Sequence, residues 1–97
     1  MAAYVIFIRE RIKDPKELAI YGEKAQGSAA GHSLKLLAFY GASETWEGSP
    51  ADGVVILEFP TAEAARAWYY SPAYQAAKVH RERGADYRAI MVEGSPG

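Results

Sequence analysis

The sequence predicts an α+β fold: a four-stranded antiparallel sheet with two helices on one face. Three observations carry this. Four runs rich in β-branched and aromatic residues alternate with two segments of helical spacing, in the order β-α-β-β-α-β. A stretch dense in turn formers joins the second and third strands as a hairpin would. Both helical segments open on cap and N1 signals that locate their starts. At 97 residues the chain reads as one domain, 1–94, with a short tail, 95–97.

The elements follow in order. Residues 3–11, AYVIFIRER, form the first strand. In the DPKE that follows, Asp14 suits an N-cap, Pro15 suits N1, and Glu17 falls at the N3 position of a capping box. Leu18, Tyr21, Ala25 and Ala29 then recur on one helical face. Residues 34–46, LKLLAFYGASETW, read as a long second strand in which Gly41 marks a bulge or bend. EGSPADG makes the hairpin loop, and VVILEF, 54–59, is a short buried strand ended by Pro60. Thr61 caps the next helix, and Ser71-Pro72 supplies a second cap and N1, so a two-part helix runs to Arg83 with Gly84 as its C′ residue. YRAIMVE, 87–93, is the fourth strand. This order is the split-βαβ, ferredoxin-like pattern.

Composition narrows the function classes. A formal net charge of −1 gives no global field favouring nucleic acid or an anionic membrane. The absence of cysteine removes disulfides, thiol catalysis and zinc–thiolate sites. MAAYVIFIRER has an apolar run, but it lacks a basic n-region and Arg9 interrupts it. No stretch approaches the roughly 20 apolar residues of a bilayer span. A cytoplasmic location is expected.

The strand faces call for a partner. With helices on one face only, a monomer's other face should be polar. Here Tyr4, Ile6 and Ile8 oppose Ala3, Val5 and Phe7 on the first strand, and Val54 and Ile56 oppose Val55, Leu57 and Phe59 on the third. On the second, Leu36, Ala38 and Tyr40 oppose Leu37 and Phe39. Leaving half a dozen such side chains wet would forgo on the order of 10 kcal/mol, comparable with a domain's net stability. A homodimer packed through the sheet face is the expected cover.

VVILEFPTAEAARAWYYSPAYQAAKVHRER, the closing VEG and the earlier DPKELAIYGEKA together resemble the domain of unknown function 1330 family over nearly the whole chain. The matching positions are Asp14-Pro15, Tyr21, Glu47-Gly48, Glu58-Phe59-Pro60, Ala65, Trp68, Tyr69, Ser71, Tyr74, Arg81 and Glu93-Gly94. The chain departs from the family in the loop before the second strand, where AAGHSL has Gly31 in place of the usual paired glycines. The resemblance implies a dimeric α+β barrel built from two four-stranded sheets. It implies no established reaction. Distant relatives of the architecture include cofactor-free monooxygenases, lactone isomerases and haem enzymes, and fold likeness transfers none of their chemistry.

Glu58 is the candidate acid or base. It shares a strand face with Val54 and Ile56 in a central strand, where a carboxylate is desolvated and needs a cation. Arg9 and Arg81 are the candidate cations; a plain structural ion pair is the competing account of Glu58. Three adjacent aromatics, Trp68, Tyr69 and Tyr70, cannot share one helical face. Ala64, Ala65 and Trp68 form the buried stripe, Tyr69 lines its edge, and Tyr70 points away. After the Ser71-Pro72 break Tyr74 turns back toward Trp68 or Tyr69. With Tyr21 and Tyr40 these rings either wall a pocket or fill the core and dimer rim. His32 and His80 lack metal-ligand spacing, so no metal or organic cofactor is expected. His80, Arg81 and Arg83 suit a helix C-terminus. An anion site built from Arg81, Arg83 and Arg88 is the other way to use these cations.

The expected function is therefore small-molecule binding or conversion in a pocket between helices and sheet, with Glu58 as acid or base and Arg9, Tyr21, Tyr40, Trp68, Tyr69, Tyr74 and Arg81 around the ligand. The alternative is a non-catalytic interaction module whose aromatics serve packing and dimerisation.

Overall fold

The computed structural model describes residues 1–96; the last residue of the expected tail, 97, lies outside the described residues. The elements are β1 (Ala3–Ile12), α1 (Pro15–Ser28), β2 (Lys35–Phe39), β3 (Gly53–Phe59), α2 (Ala62–Tyr69), α3 (Pro72–Gly84) and β4 (Ala85–Glu93). The strands lie in the order β2-β3-β1-β4, antiparallel throughout. This is the ferredoxin-like arrangement, with α2 and α3 as the two parts of the second helix.

The caps behave as their residue types dictate. The Asp14 carboxylate accepts from the Lys16 amide at 3.0 Å, Thr61 Oγ1 from Ala64 at 3.0 Å, and Ser71 Oγ from Tyr74 at 3.2 Å. Glu17 departs from the capping-box expectation. It turns to α3 instead, meeting His80 Nδ1 at 2.5 Å and Arg83 at 4.0 Å. His80 is thus an inter-helix partner.

Strand alternation separates two surfaces. Ala3, Val5 and Phe7 of β1 and Val55, Leu57 and Phe59 of β3 are buried beneath the helices. They join Ala65, Trp68, Tyr74 and Ala77 in the core. On the open face Tyr4 pairs with Glu58 and Val92, Ile6 with Ile56 and Ile90, and Ile8 with Val54 and Arg88. Most of that face is apolar, as the strand patterns require.

β2 differs from its sequence reading. It ends at Phe39 instead of Trp46, and Gly41 lies beyond it in the 40–52 connection. A register shift between Leu36 and Ala38 breaks the alternation, so Leu36 and Phe39 come to lie opposite Leu57 and Val55 respectively, on the helix side. Leu36 and Phe39 were expected on opposite faces; the bulge puts them together.

Gly84 is the last residue of α3, not the residue after it, and its value is close approach. A Cβ there would lie 2.7 Å from Leu18 Cδ2 and 3.0 Å from the Leu18 amide nitrogen, so α1 packs directly on the end of α3. The Gly84 carbonyl also accepts from the amides of Lys13 and Asp14. Gly84→Ala should force the helices apart and cost about 1–3 kcal/mol, read as a lowered urea midpoint at unchanged m-value.

Candidate functional site

A cleft of about 540 Å³ lies between α1 and the β2–β3 side of the sheet. Its walls are the residues that the helical and strand periods bring together. α1 contributes Leu18, Tyr21, Ala25 and Ala29, the stripe read from the sequence, and the sheet contributes Phe7, Val55, Leu57, Leu36 and Phe39. Trp68 forms part of the inner wall; its indole N–H donates to Ser28 Oγ at 3.1 Å, and Ser28 donates in turn to the Ala25 carbonyl at 2.6 Å. The polar end holds Arg9, Tyr40 and Tyr87.

That polar end has an unusual construction. Arg9 lies with its guanidinium carbon 4.4 Å above the Tyr40 ring, and its Nε donates to Asp52 at 3.0 Å. The Tyr40 and Tyr87 hydroxyls are hydrogen-bonded at 2.5 Å. Tyr40 has a φ of +54°, a left-handed backbone conformation that is sparse for a non-glycine residue. Its ring lies directly over Gly53, where a Cβ would be 2.6 Å from Tyr40 Cδ1. The stack of Gly53 backbone, Tyr40 ring and Arg9 guanidinium therefore needs both the strained backbone at 40 and the missing side chain at 53.

Behind the wall lies a second arginine. Arg81 is 6 % exposed and forms no ion pair with any carboxylate among the described residues. Its Nη1 donates to the Tyr74 hydroxyl at 3.1 Å, and its guanidinium lies 5.3 Å from the Phe7 ring and 5.6 Å from the Tyr87 ring. The Nε has no hydrogen-bond partner. Tyr74 is fully buried, and its hydroxyl meets that of Tyr21 at 2.9 Å. Burial pushes the Tyr21 and Tyr40 phenols well above the ordinary tyrosine range, Tyr21 further through nearby Tyr74 and Tyr40 through its bond to Tyr87. Burial also raises Tyr74, and nearby Arg81 restrains the shift to about 12.

Of the residues expected at the site, the structure brings Arg9, Tyr21, Tyr40 and Trp68 to the cleft. Tyr74 and Arg81 sit behind it as core, and Tyr69 faces a separate depression with Tyr70, Ala89 and Met91. Glu58 does not join them. The β3 alternation turns it to the open face, opposite Tyr4 and Lys35, and its cation is Lys35 at 4.0 Å, not Arg9 or Arg81. The geometry removes Glu58 as an acid or base for this cleft. Arg81, Arg83 and Arg88 likewise do not converge: Arg81 points inward, Arg83 reaches Glu17, and Arg88 shares the open face with Ile8. Tyr87 and Asp52 escaped the sequence reading. Antiparallel pairing of Arg9 with Tyr87 and Gly53 is what places them. Among the described residues no three His, Asp or Glu side chains gather as a metal site. No helix there is long and apolar enough to cross a membrane.

Fold and cleft together define a small ferredoxin-like α+β protein with an apolar cleft closed at one end by Arg9 and the phenols of Tyr40 and Tyr87. The chain belongs to the family described as Domain of unknown function (DUF1330), whose model matches residues 2–95. It is similar to the methylated RPA0582 protein at 21 % identity and TM-score 0.74, over 99 % of this chain and 83 % of that one. A second structure of RPA0582 describes it as a protein of unknown function from Rhodopseudomonas palustris. A dimeric ferredoxin-like protein of unknown function from Thermobifida fusca matches at 17 % identity and TM-score 0.65, over 96 % of this chain and 91 % of that one. SnoaB from Streptomyces nogalater, a cofactor-independent oxygenase, matches at 11 % identity and TM-score 0.63, over 99 % of this chain and 94 % of that one. Comparison with curated proteins gave no match. These likenesses establish the fold.

The raised phenols give a pH prediction. A tyrosine whose folded pKa exceeds its unfolded value of 10.0 stabilises the fold fully below that value and loses the contribution as pH climbs through the folded pKa, about 12 for Tyr74. Phenolate absorbance of the native protein should leave Tyr21, Tyr40 and Tyr74 un-ionised near pH 10, and stability should fall between pH 10 and 12. All seven tyrosines ionising together near pH 10 in the folded state would contradict the burial.

Proposed function

We propose that this protein binds a flat, largely apolar organic molecule bearing an oxygen function, and that two copies associate through their open sheet faces. The observation that carries the first part is the cleft itself: about 540 Å³, within the usual range for small-molecule sites of roughly 300–1,000 Å³. Leu18, Leu34, Leu36, Phe39, Val55 and Leu57 would grip the apolar body, and Arg9, Tyr40 and Tyr87 would meet the oxygen. No Asp, Glu or His lines the cleft among the described residues, so any conversion there would draw on phenols as proton donors. SnoaB shares the fold and is described as a cofactor-independent oxygenase; that analogy supports only the suitability of the architecture for chemistry on an organic substrate.

For the dimer, the support is the apolar open face. Ile90 and Val92 remain exposed, with Tyr4, Ile6, Ile8, Val54 and Ile56 half-buried beside them. Structural neighbours from Thermobifida fusca and Bacteroides fragilis are described as dimeric.

Thermal-shift screening with aromatic acids, lactones and quinones should find compounds that raise the melting temperature, stabilisation growing as RT ln(1 + [L]/Kd). Leu57→Arg, which puts a charge into the cleft wall, should abolish the shift; a library without a single stabilising compound would refute the binding site. Light scattering at micromolar concentration should give the mass of two chains, and Ile6→Glu on the open face should give one. A wild-type protein that runs as a lone chain would refute the dimer.

A further inference from the structure

The cleft reading leaves the ligand's charge open, and the arginine–tyrosine construction addresses it. Arg81 is a buried cation without a carboxylate, an arrangement that proteins tolerate only where other groups or a bound anion answer the charge. Its neighbours are the faces of Phe7 and Tyr87 and the phenol oxygens of Tyr74 and Tyr69. Arg9 has one carboxylate, the exposed Asp52. Two guanidinium groups thus stand against one carboxylate around the cleft's polar end.

A guanidinium can only donate hydrogen bonds, and that orders the phenols. Arg81 donates to the Tyr74 oxygen, and the Tyr74 and Tyr21 hydroxyls share one hydrogen bond, so one phenol proton of that pair remains unspent. Tyr21 is the member of the pair that lines the cleft. The other phenol pair is built the same way. The Tyr87 oxygen faces Arg9, Tyr87 and Tyr40 share one hydrogen bond, and one phenol proton of that pair remains unspent, again on cleft-lining residues. Burial raises the Tyr21 and Tyr40 phenols, so these two serve as donors at neutral pH. Phenol oxygens beside a guanidinium are poor acceptors. Among the described residues, the one side-chain amide lining the cleft is that of Gln26, on an exposed stretch of α1.

We propose that the ligand of this cleft is an organic acid, a flat apolar body whose carboxylate accepts from the phenols of Tyr21 and of the Tyr40–Tyr87 pair and neutralises the field of Arg9 and Arg81. The proposal rests on the small-molecule reading of the cleft and adds the chemical class. Arg81 acts in it as a positioning residue, through Tyr74 and Tyr21, without touching the ligand.

The test is a matched series on one ring system, followed by calorimetry on the intact protein: 2-naphthoate, 2-naphthylmethanol and 2-naphthylmethylammonium. The acid should bind at least about tenfold tighter than the alcohol, with the ammonium weakest, as expected for charge-assisted hydrogen bonds. Tyr21→Phe and Tyr40→Phe should each weaken the acid more than the alcohol, shrinking the acid-to-alcohol ratio about threefold or more. An alcohol or ammonium that binds as tightly as the acid overturns the proposal and leaves the cleft reading intact. Unchanged ratios in both phenylalanine variants overturn it as well. Failure of all three compounds to bind refutes the cleft reading and the proposal with it. The wild-type series is decisive even if a variant does not fold.

Discussion

One constraint organises this molecule: its helices cover a single face of the sheet. Along β1 as far as Arg9, and along β3, each residue therefore meets one of two environments, and chain parity decides which. Phe7 and Arg9 point toward helix and cleft, while Tyr4, Ile6 and Ile8 point to the bare side. Val55 and Leu57 wall the cleft, while Glu58, one position on, belongs to the opposite surface with Lys35. A one-residue difference in register exchanges a core side chain for a surface one, which is why so small a sheet can hold an apolar cleft and an apolar outer surface at once.

Much of this was legible from residue order. The caps at Asp14, Thr61 and Ser71, the four strands and the α1 stripe of Leu18, Tyr21, Ala25 and Ala29 follow from local chemistry and period, and the structure holds them. The misreadings come from non-local causes. Glu58 shares its strand face with Val54 and Ile56, as read, but alternation cannot say which face the helices will choose. The bulge that brings Leu36 and Phe39 to the same side depends on pairing with β3, and nothing within LKLLAF marks it. Glu17 has a good capping-box position, yet His80, 63 residues away, outcompetes the local partner. Tyr87 became a site residue only through its pairing with Arg9.

The aromatic run that looked like a pocket wall divides by depth. Trp68 reaches the cleft, Tyr74 fills the core behind it, and Tyr69 belongs to another depression, with Tyr70 largely in water. Phe7, Trp68 and Tyr74 pack with ring centroids 4.3–6.2 Å apart, so the back of the cleft is a rigid aromatic block. Arg81 enters that block against the usual preference for dry hydrocarbon. The ring faces and phenol oxygens around it take the place of a carboxylate, and this keeps its charge within reach of the cleft without exposing it to water.

The stack at Gly53 and Tyr40 has a consequence for the family's variation. The two positions are mechanically one: an aromatic ring occupies the volume that any side chain at 53 would need, and it arrives there by a left-handed turn at 40. A lineage that acquires a β-carbon at 53 must surrender the ring at 40, and with it the platform beneath Arg9. Glycine at one site and a ring at the other should thus be inherited as a couple, and chains that have lost both should hold their arginine differently and favour other guests.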